Sequence, residues 1–206
     1  MSRVLAVAGR ELIIREDHRL DSEAGCVVWD AGLCLVYYLD HAASLVAGKR
    51  VIELGCGPGA VGCTAAALGA ESVVLTDLPH LLPLVRSNIE ANPLGGVATA
   101  AALAWGDPVG HLQPPFDLVL ASDVLYQAEA LPLFVQTLAA LSSPRTLTVL
   151  CNEHRPALPF PWQLFRAAGF EVRQVPLSEQ HPEWSSEDIH LFHIRLACNT
   201  SDGGDS

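Results

Sequence analysis

The run Val51-Ile52-Glu53-Leu54-Gly55-Cys56-Gly57-Pro58-Gly59, answered after the next apolar stretch by Asp77, limits what this chain can fold into more than any other feature. It reads as a strand that breaks into glycines, and glycine leaves the backbone bare enough for a nucleotide-like ligand to lie against it. Asp77 ends the following strand, where a carboxylate can accept hydrogen bonds from both ribose hydroxyls. Capping the Pro79 segment is the plainer role for that acid.

The register of the glycines selects the ligand. Gly55, Gly57 and Gly59 alternate, whereas a dinucleotide site wants G-x-G-x-x-G at the helix start, and Gly62 is displaced from it. Pro58 lacks the N–H that a phosphate cradle would use. S-adenosylmethionine carries no phosphate, so close backbone approach at Gly55, Cys56 and Gly57 would suffice for it, with S-adenosylhomocysteine as product. A glycine turn that only serves sheet packing remains the bland alternative. Glu53 can orient the turn backbone, or the cofactor amine through an intervening group. Trp105, after the third strand, stands where it can cover an adenine face, with core packing as the rival role. Nothing local to Trp29 points it at a ligand.

At 206 residues the chain suits one domain. Residues 4–8 and 11–15 flank Gly9-Arg10 as a small hairpin, and 17–25 read as a polar loop. Helical spacing covers 28–39, with Asp30 as a candidate cap. Strand and helix then alternate: strand 50–54, helix 60–68, strand 73–76, helix 81–92, strand 99–103, strand 116–121, helix 128–141, strand 146–151, helix 160–168. Strands 171–177 and 189–197 close the chain with no helix between them, which predicts an antiparallel pair at one sheet edge. The expectation is an α/β, Rossmann-like, mostly parallel seven-stranded sheet with an antiparallel final hairpin. One domain spans 1–198, and 199–206 form a polar, disordered tail.

A formal net charge of -11 argues against a nucleic-acid partner, since phosphate contacts need clustered cations. It leaves room for a basic peptide, a basic protein surface or a cationic small molecule. Lys49 is the only lysine. Cys26, Cys34, Cys56, Cys63, Cys151 and Cys198 show no metal-ligand spacing and read as reduced core thiols of an intracellular protein, with Cys198 the most exposed. No apolar run approaches a membrane span. No metal site is expected, and His18, His80 and His181 are expected to face water.

The reacting end is Ser122-Asp123-Val124-Leu125-Tyr126, directly after the fourth parallel strand. Methyl transfer is one displacement at carbon and needs alignment more than a strong base. Asp123 can orient an amine or the cofactor, and Tyr126 offers a hydroxyl and a ring edge beside a cationic centre. Nucleic-acid amine methyltransferases carry an acid or amide, two prolines and an aromatic here. Val124-Leu125 replaces the prolines, which moves the expected substrate toward protein.

These positions resemble the small seven-strand protein lysine methyltransferases. The resemblance runs over roughly 3–197 and rests on Gly25 to Ala31, the Glu53 to Gly62 turn, Leu68-Gly69-Ala70, Val74 to Leu78, Trp105-Gly106 and Asp123 to Tyr126. Its most discriminating piece is Ser186-Glu187-Asp188-Ile189-His190 with Ile194-Arg195, nearest to the branch that acts on a valosin-containing protein. The resemblance implies a class I methyltransferase fold and a monomeric, cytoplasmic enzyme that adds up to three methyl groups to one lysine of a folded partner, in that branch a hexameric AAA-type ATPase. By position it puts Trp29, Gly55 to Gly57, Asp77, Trp105 and Ser122 in the cofactor shell, and Asp123 and Tyr126 beside the target lysine. Ser122 departs from the alanine usual in the branch, and the chain is shorter before Gly25 and ahead of Arg50. Another protein, a small-molecule amine or a catalytically silent binding role stays open as the alternative.

Overall fold

A computed structural model describes residues 1–18 and 24–197. Cys198, the tail expected over 199–206 and most of the loop expected over 17–25 lie outside the described residues.

The chain opens with a hairpin of β1 (Ser2–Val7) and β2 (Arg10–Arg15). Alternation decides its faces: Leu5, Val7, Leu12 and Ile14 are buried, while Val4 and Ile13 face out. Ala8 and Gly9 both take positive φ, 52° and 71°, the handedness that a two-residue hairpin turn requires.

The central sheet holds β3 (Arg50–Leu54), β4 (Ser72–Asp77), β5 (Ala98–Ala102), β6 (Leu118–Ser122), β7 (Leu147–Glu153), β8 (Phe170–Gln174) and β9 (Ile189–Leu196), in the order β5-β4-β3-β6-β7-β9-β8. Only β9 runs against the others: it pairs antiparallel with both β7 and β8, so β8 forms the sheet edge. The helices are α1 (Asp30–His41), α2 (Ala60–Ala67), α3 (Leu82–Glu90), α4 (Leu131–Leu141) and α5 (Trp162–Ala167). Each central strand feeds two cores. Val51, Leu118, Leu120 and Val149 join the cluster under α1, α2 and the hairpin. Ile52, Leu54, Val119 and Leu150 join that under α4 and α5. Burial on both faces explains why these strands read as continuous apolar runs.

The expected elements recur with shifted ends. Asp30 is not a cap: α1 begins at Asp30, and the cap position falls on Trp29, whose side chain makes no capping hydrogen bond. The helix expected over 128–141 divides into a 3-10 turn at Ala128–Ala130 and α4, whose second residue is Pro132. No helix among the described residues is long and apolar enough to cross a membrane.

β3 and β6 are neighbours whose onward crossovers leave in opposite directions, toward β4 and toward β7. A crevice opens at such a point, beyond the carboxyl ends of the strands.

Candidate active site

The glycine turn leaves β3 with φ of 65° at Gly55, 53° at Gly57 and 85° at Gly59, which caps α2. A Cβ on Gly57 would stand 3.1 Å from the Gly25 carbonyl, and one on Gly55 would stand 3.1 Å from Val124 and 3.4 Å from Trp105. Side chains are therefore excluded where the backbone turns through the crevice. Gly62 has a separate purpose. Its N–H donates to Glu53 Oε2 at 2.7 Å, and a Cβ there would collide with Leu75 at 2.6 Å and with the same carboxylate at 2.7 Å.

Asp77 ties the second strand to the turn. Its Oδ2 accepts the Gly57 N–H at 2.7 Å, and Oδ1 accepts the Leu78 N–H at 2.7 Å. Burial raises its pKa from the ordinary carboxylate value, and those two N–H groups pull it back. Glu53 is buried outright, and burial pushes it up to about 8 against the pull of Gly62, with Asp77 adding to the rise. At neutral pH Glu53 is thus largely neutral. Cys56 is buried, and its thiol is raised well above the ordinary value, first by burial and then by Glu53 and Asp77. It is an unreactive packing thiol.

Beyond the strand ends lies a cavity of about 720 Å³, lined by Trp29, Glu53, Gly55, Cys56, Gly57, Asp77, Trp105, Ser122, Asp123 and Tyr126 among others. This volume suits a cofactor-sized ligand. Trp105 borders it and packs edge-on to Phe134 at 4.9 Å, so its packing contact leaves the ring on the cavity wall. Trp29 and Tyr126 stay about half exposed at its margin. Neither His154 nor His190 lines it; their rings stack on each other at 5.4 Å. His80 is exposed but borders the cavity, whereas His181 is half-buried against Tyr37 and His41, not out in water.

The second wall is held by contacts that no local pattern in the sequence encodes. Asp123 has a left-handed backbone, φ 54°, and donates its N–H to the Cys151 carbonyl at 2.8 Å. Its carboxylate is not a lone acid: Arg155 Nη1 donates to Oδ1 at 2.9 Å and Nη2 to Oδ2 at 2.8 Å, and the Glu153 N–H reaches Oδ1 at 3.3 Å. Asn152 Oδ1 accepts the Leu125 N–H at 2.9 Å, pinning the same turn. Burial, then Asp77 and Asp123, raise the Tyr126 phenol, so it stays protonated. Arg155 and Asn152 escape sequence reasoning because they stand about thirty residues from the turn they hold.

Residues 7–159 match a family described as lysine methyltransferase. The chain is 36% identical over 151 residues to EEF1A lysine methyltransferase 3 of Xenopus tropicalis, covering 73% of this chain and 67% of that protein. It is 40% identical over 180 residues to protein N-lysine methyltransferase METTL21A of Danio rerio, covering 84% and 79%. Among solved structures, the glycopeptide N-methyltransferase MtfA complexed with sinefungin shares the fold, with a TM-score of 0.63 at 15% identity over 80% of this chain and 94% of that one. These matches reach the level of the family and go no further toward the valosin-containing branch expected from the sequence.

Proposed function

The chain belongs to the lysine methyltransferase family, and from that premise we propose that the cavity between the glycine turn and the Asp123–Tyr126 turn holds S-adenosylmethionine and admits the ε-amine of a lysine on a folded protein. The observation that carries this reading is the pairing of two unlike walls across one crevice. One is bare glycine backbone braced by Asp77; the other ends in a phenol and an ion-paired carboxylate.

The residues fit the cofactor. A Cβ at Gly55 or Gly57 would crowd the cradle, Pro58 removes a donor that only a phosphate would need, and Asp77 presents a carboxylate at the second strand end, where ribose hydroxyls are held. Trp105 offers a flat apolar wall, Ser122 and Trp29 complete the enclosure, and Glu53 stiffens the turn through Gly62. When bound, S-adenosylmethionine would supply an electrophilic methyl carbon to the amine lone pair, with the carbon–sulfur pair going to sulfur, so that S-adenosylhomocysteine and a methylated lysine would be the products. Tyr126 stands beside the incoming amine, where its hydroxyl can accept a hydrogen bond from N–H and its ring can face the developing cation. Alignment is the larger contribution.

For the substrate, the ending at Ser186 to His190 supports a lysine of a hexameric AAA-type ATPase, methylated up to three times by a cytoplasmic, monomeric enzyme. The name of the Xenopus tropicalis relative supports a second reading, in which the target is EEF1A. Labelled cofactor with each purified protein, followed by peptide mapping, tests both. Modified ATPase and unmodified EEF1A bears out the first, and the reverse outcome replaces it. The enzyme is a clean background for such an assay, because its only lysine, Lys49, is exposed ahead of β3, at the sheet end opposite the cavity. Label that enters neither partner nor any protein of a cell extract would sink the protein-substrate reading.

A further inference from the structure

Arg155 is tied to Asp123 more tightly than ordinary surface charges are tied to each other. The Asp123 side chain is 6% exposed and that of Arg155 31%, and the two bonds at 2.9 and 2.8 Å form a fork that fixes the plane of the carboxylate. The pair bridges the turn after β6 and the segment after β7, across a residue whose left-handed backbone costs about 1 kcal/mol. Arg155 also reaches Glu153 Oε2 at 3.1 Å. Among the described residues, the other titratable groups facing this corner are Tyr126 in the same turn, Asp77 at the end of β4, His80 just after it, and Cys151 in β7.

A carboxylate without a partner, this close to the attacking amine, would be a hindrance. It would hold lysine as an ammonium, which has no lone pair, and burial would strengthen the hold. A guanidinium bound to both oxygens cancels that field and cannot itself lose a proton.

We propose that Arg155 is a positioning residue of the methyl-transfer site: by occupying both Asp123 oxygens it fixes the turn that carries Tyr126 and keeps the acid from trapping the incoming lysine as an ammonium, so the amine meets the methyl carbon uncharged. This role rests on the reading of the cavity as a lysine-methylating site. It goes beyond that reading by assigning the Asp123 charge to an internal partner and not to the substrate.

The test measures kcat and KM from pH 6 to 10 on a protein that the wild type methylates, with Arg155→Gln, Arg155→Lys and Asp123→Asn, all checked for folding by circular dichroism. In Arg155→Gln the acid limb of kcat should move up by about one pH unit, lowering kcat about tenfold at neutral pH and recovering it at high pH, while KM does not rise. Arg155→Lys, which keeps the charge, should keep the limb. Asp123→Asn leaves the guanidinium without its counter-charge and should move the limb down, the opposite direction, and it serves if Arg155→Gln does not fold. A readout without turnover uses n-butylammonium, a lysine side chain alone, followed by NMR: Arg155→Gln should bind it at least threefold more tightly than wild type, and n-butanol equally. Unmoved limbs, limbs that move together, or no gain in butylammonium affinity would overturn the role of Arg155 while leaving lysine methylation intact. A wild type that methylates no lysine would overturn the site reading, and this role with it.

Discussion

Glu53→Gln offers the most direct test of the electrostatics beneath the glycine turn. Glu53 is 1% exposed, and burial moves its carboxyl from the ordinary 4.5 to about 8. Below pH 4.5 the group is neutral in both folded and unfolded chains. Between 4.5 and 8 the unfolded chain releases the proton and the folded one keeps it, so the folded state binds more protons and stability falls as pH rises. At about 1.4 kcal/mol per pH unit the interval sets an upper bound of about 5 kcal/mol. Glutamine imitates the neutral carboxyl, since its amide oxygen can accept the Gly62 N–H that Glu53 accepts at 2.7 Å.

Urea unfolding followed by circular dichroism at pH 5, 6, 7, 8 and 9 reads this out, and the difference between wild type and variant cancels the groups that titrate independently of Glu53. At pH 5 the two proteins should agree within about 1 kcal/mol. By pH 8 the glutamine variant should be the more stable by up to about 4 kcal/mol. A difference that stays flat from pH 5 to 9 would refute the claim that burial keeps Glu53 protonated.

Asp77→Ala should weaken S-adenosylmethionine binding at least tenfold by calorimetry, because it removes both the proposed ribose contact and the 2.7 Å brace on Gly57; unchanged affinity would remove the assignment. Tyr126→Phe should lower kcat by about tenfold or more while leaving cofactor affinity within about twofold; equal losses would mean that the turn chiefly holds cofactor. Asn88 is fully buried, exchanges hydrogen bonds with the Arg15 N–H and carbonyl, and donates to the Pro58 carbonyl at 2.8 Å. Asn88→Ala should therefore cost about 2–3 kcal/mol in urea unfolding, and protease nicking of the hairpin should rise with it. A loss under about 0.5 kcal/mol would show that the hairpin is not held through this side chain.

The strands were the most legible elements, because burial on both faces leaves an unbroken apolar signature. The run at 73–76 and that at 116–121 fall within or beside β4 and β6 with little competition from any other structure. Glycine stops were nearly as clear: Gly69 and Gly169, at φ 85° and 84°, follow α2 and α5 where the helical spacing ends. Asp30 misled because an acid before an apolar run looks like a cap, while the chain turns helical one residue earlier and leaves the cap to the Trp29 backbone. Gly62 looked displaced only from the standpoint of a phosphate site. Its lack of a side chain admits the Glu53 carboxylate, a contact nine residues apart that no local pattern encodes.

The limit of the sequence is sharpest at Asp123. Its type, spacing to Tyr126 and place after an apolar strand mark an acid that can orient an amine or the cofactor, and each of those observations is local. What occupies it comes from the parallel register of β6 on β7, which sets Ser122 beside Cys151 and so brings the next turn of one strand against the exit of the other. An arginine at 155 then needs only its ordinary reach to close a fork on the carboxylate. Without the register, Asn152, Glu153 and Arg155 are three polar residues at a strand end; with it, they become the frame in which Asp123 and Tyr126 stand. The chemistry of a carboxylate near a methyl donor follows from its partner as much as from its position, because an acid paired with guanidinium orients without trapping, and the same acid unpaired would stabilise the one form of lysine that cannot react.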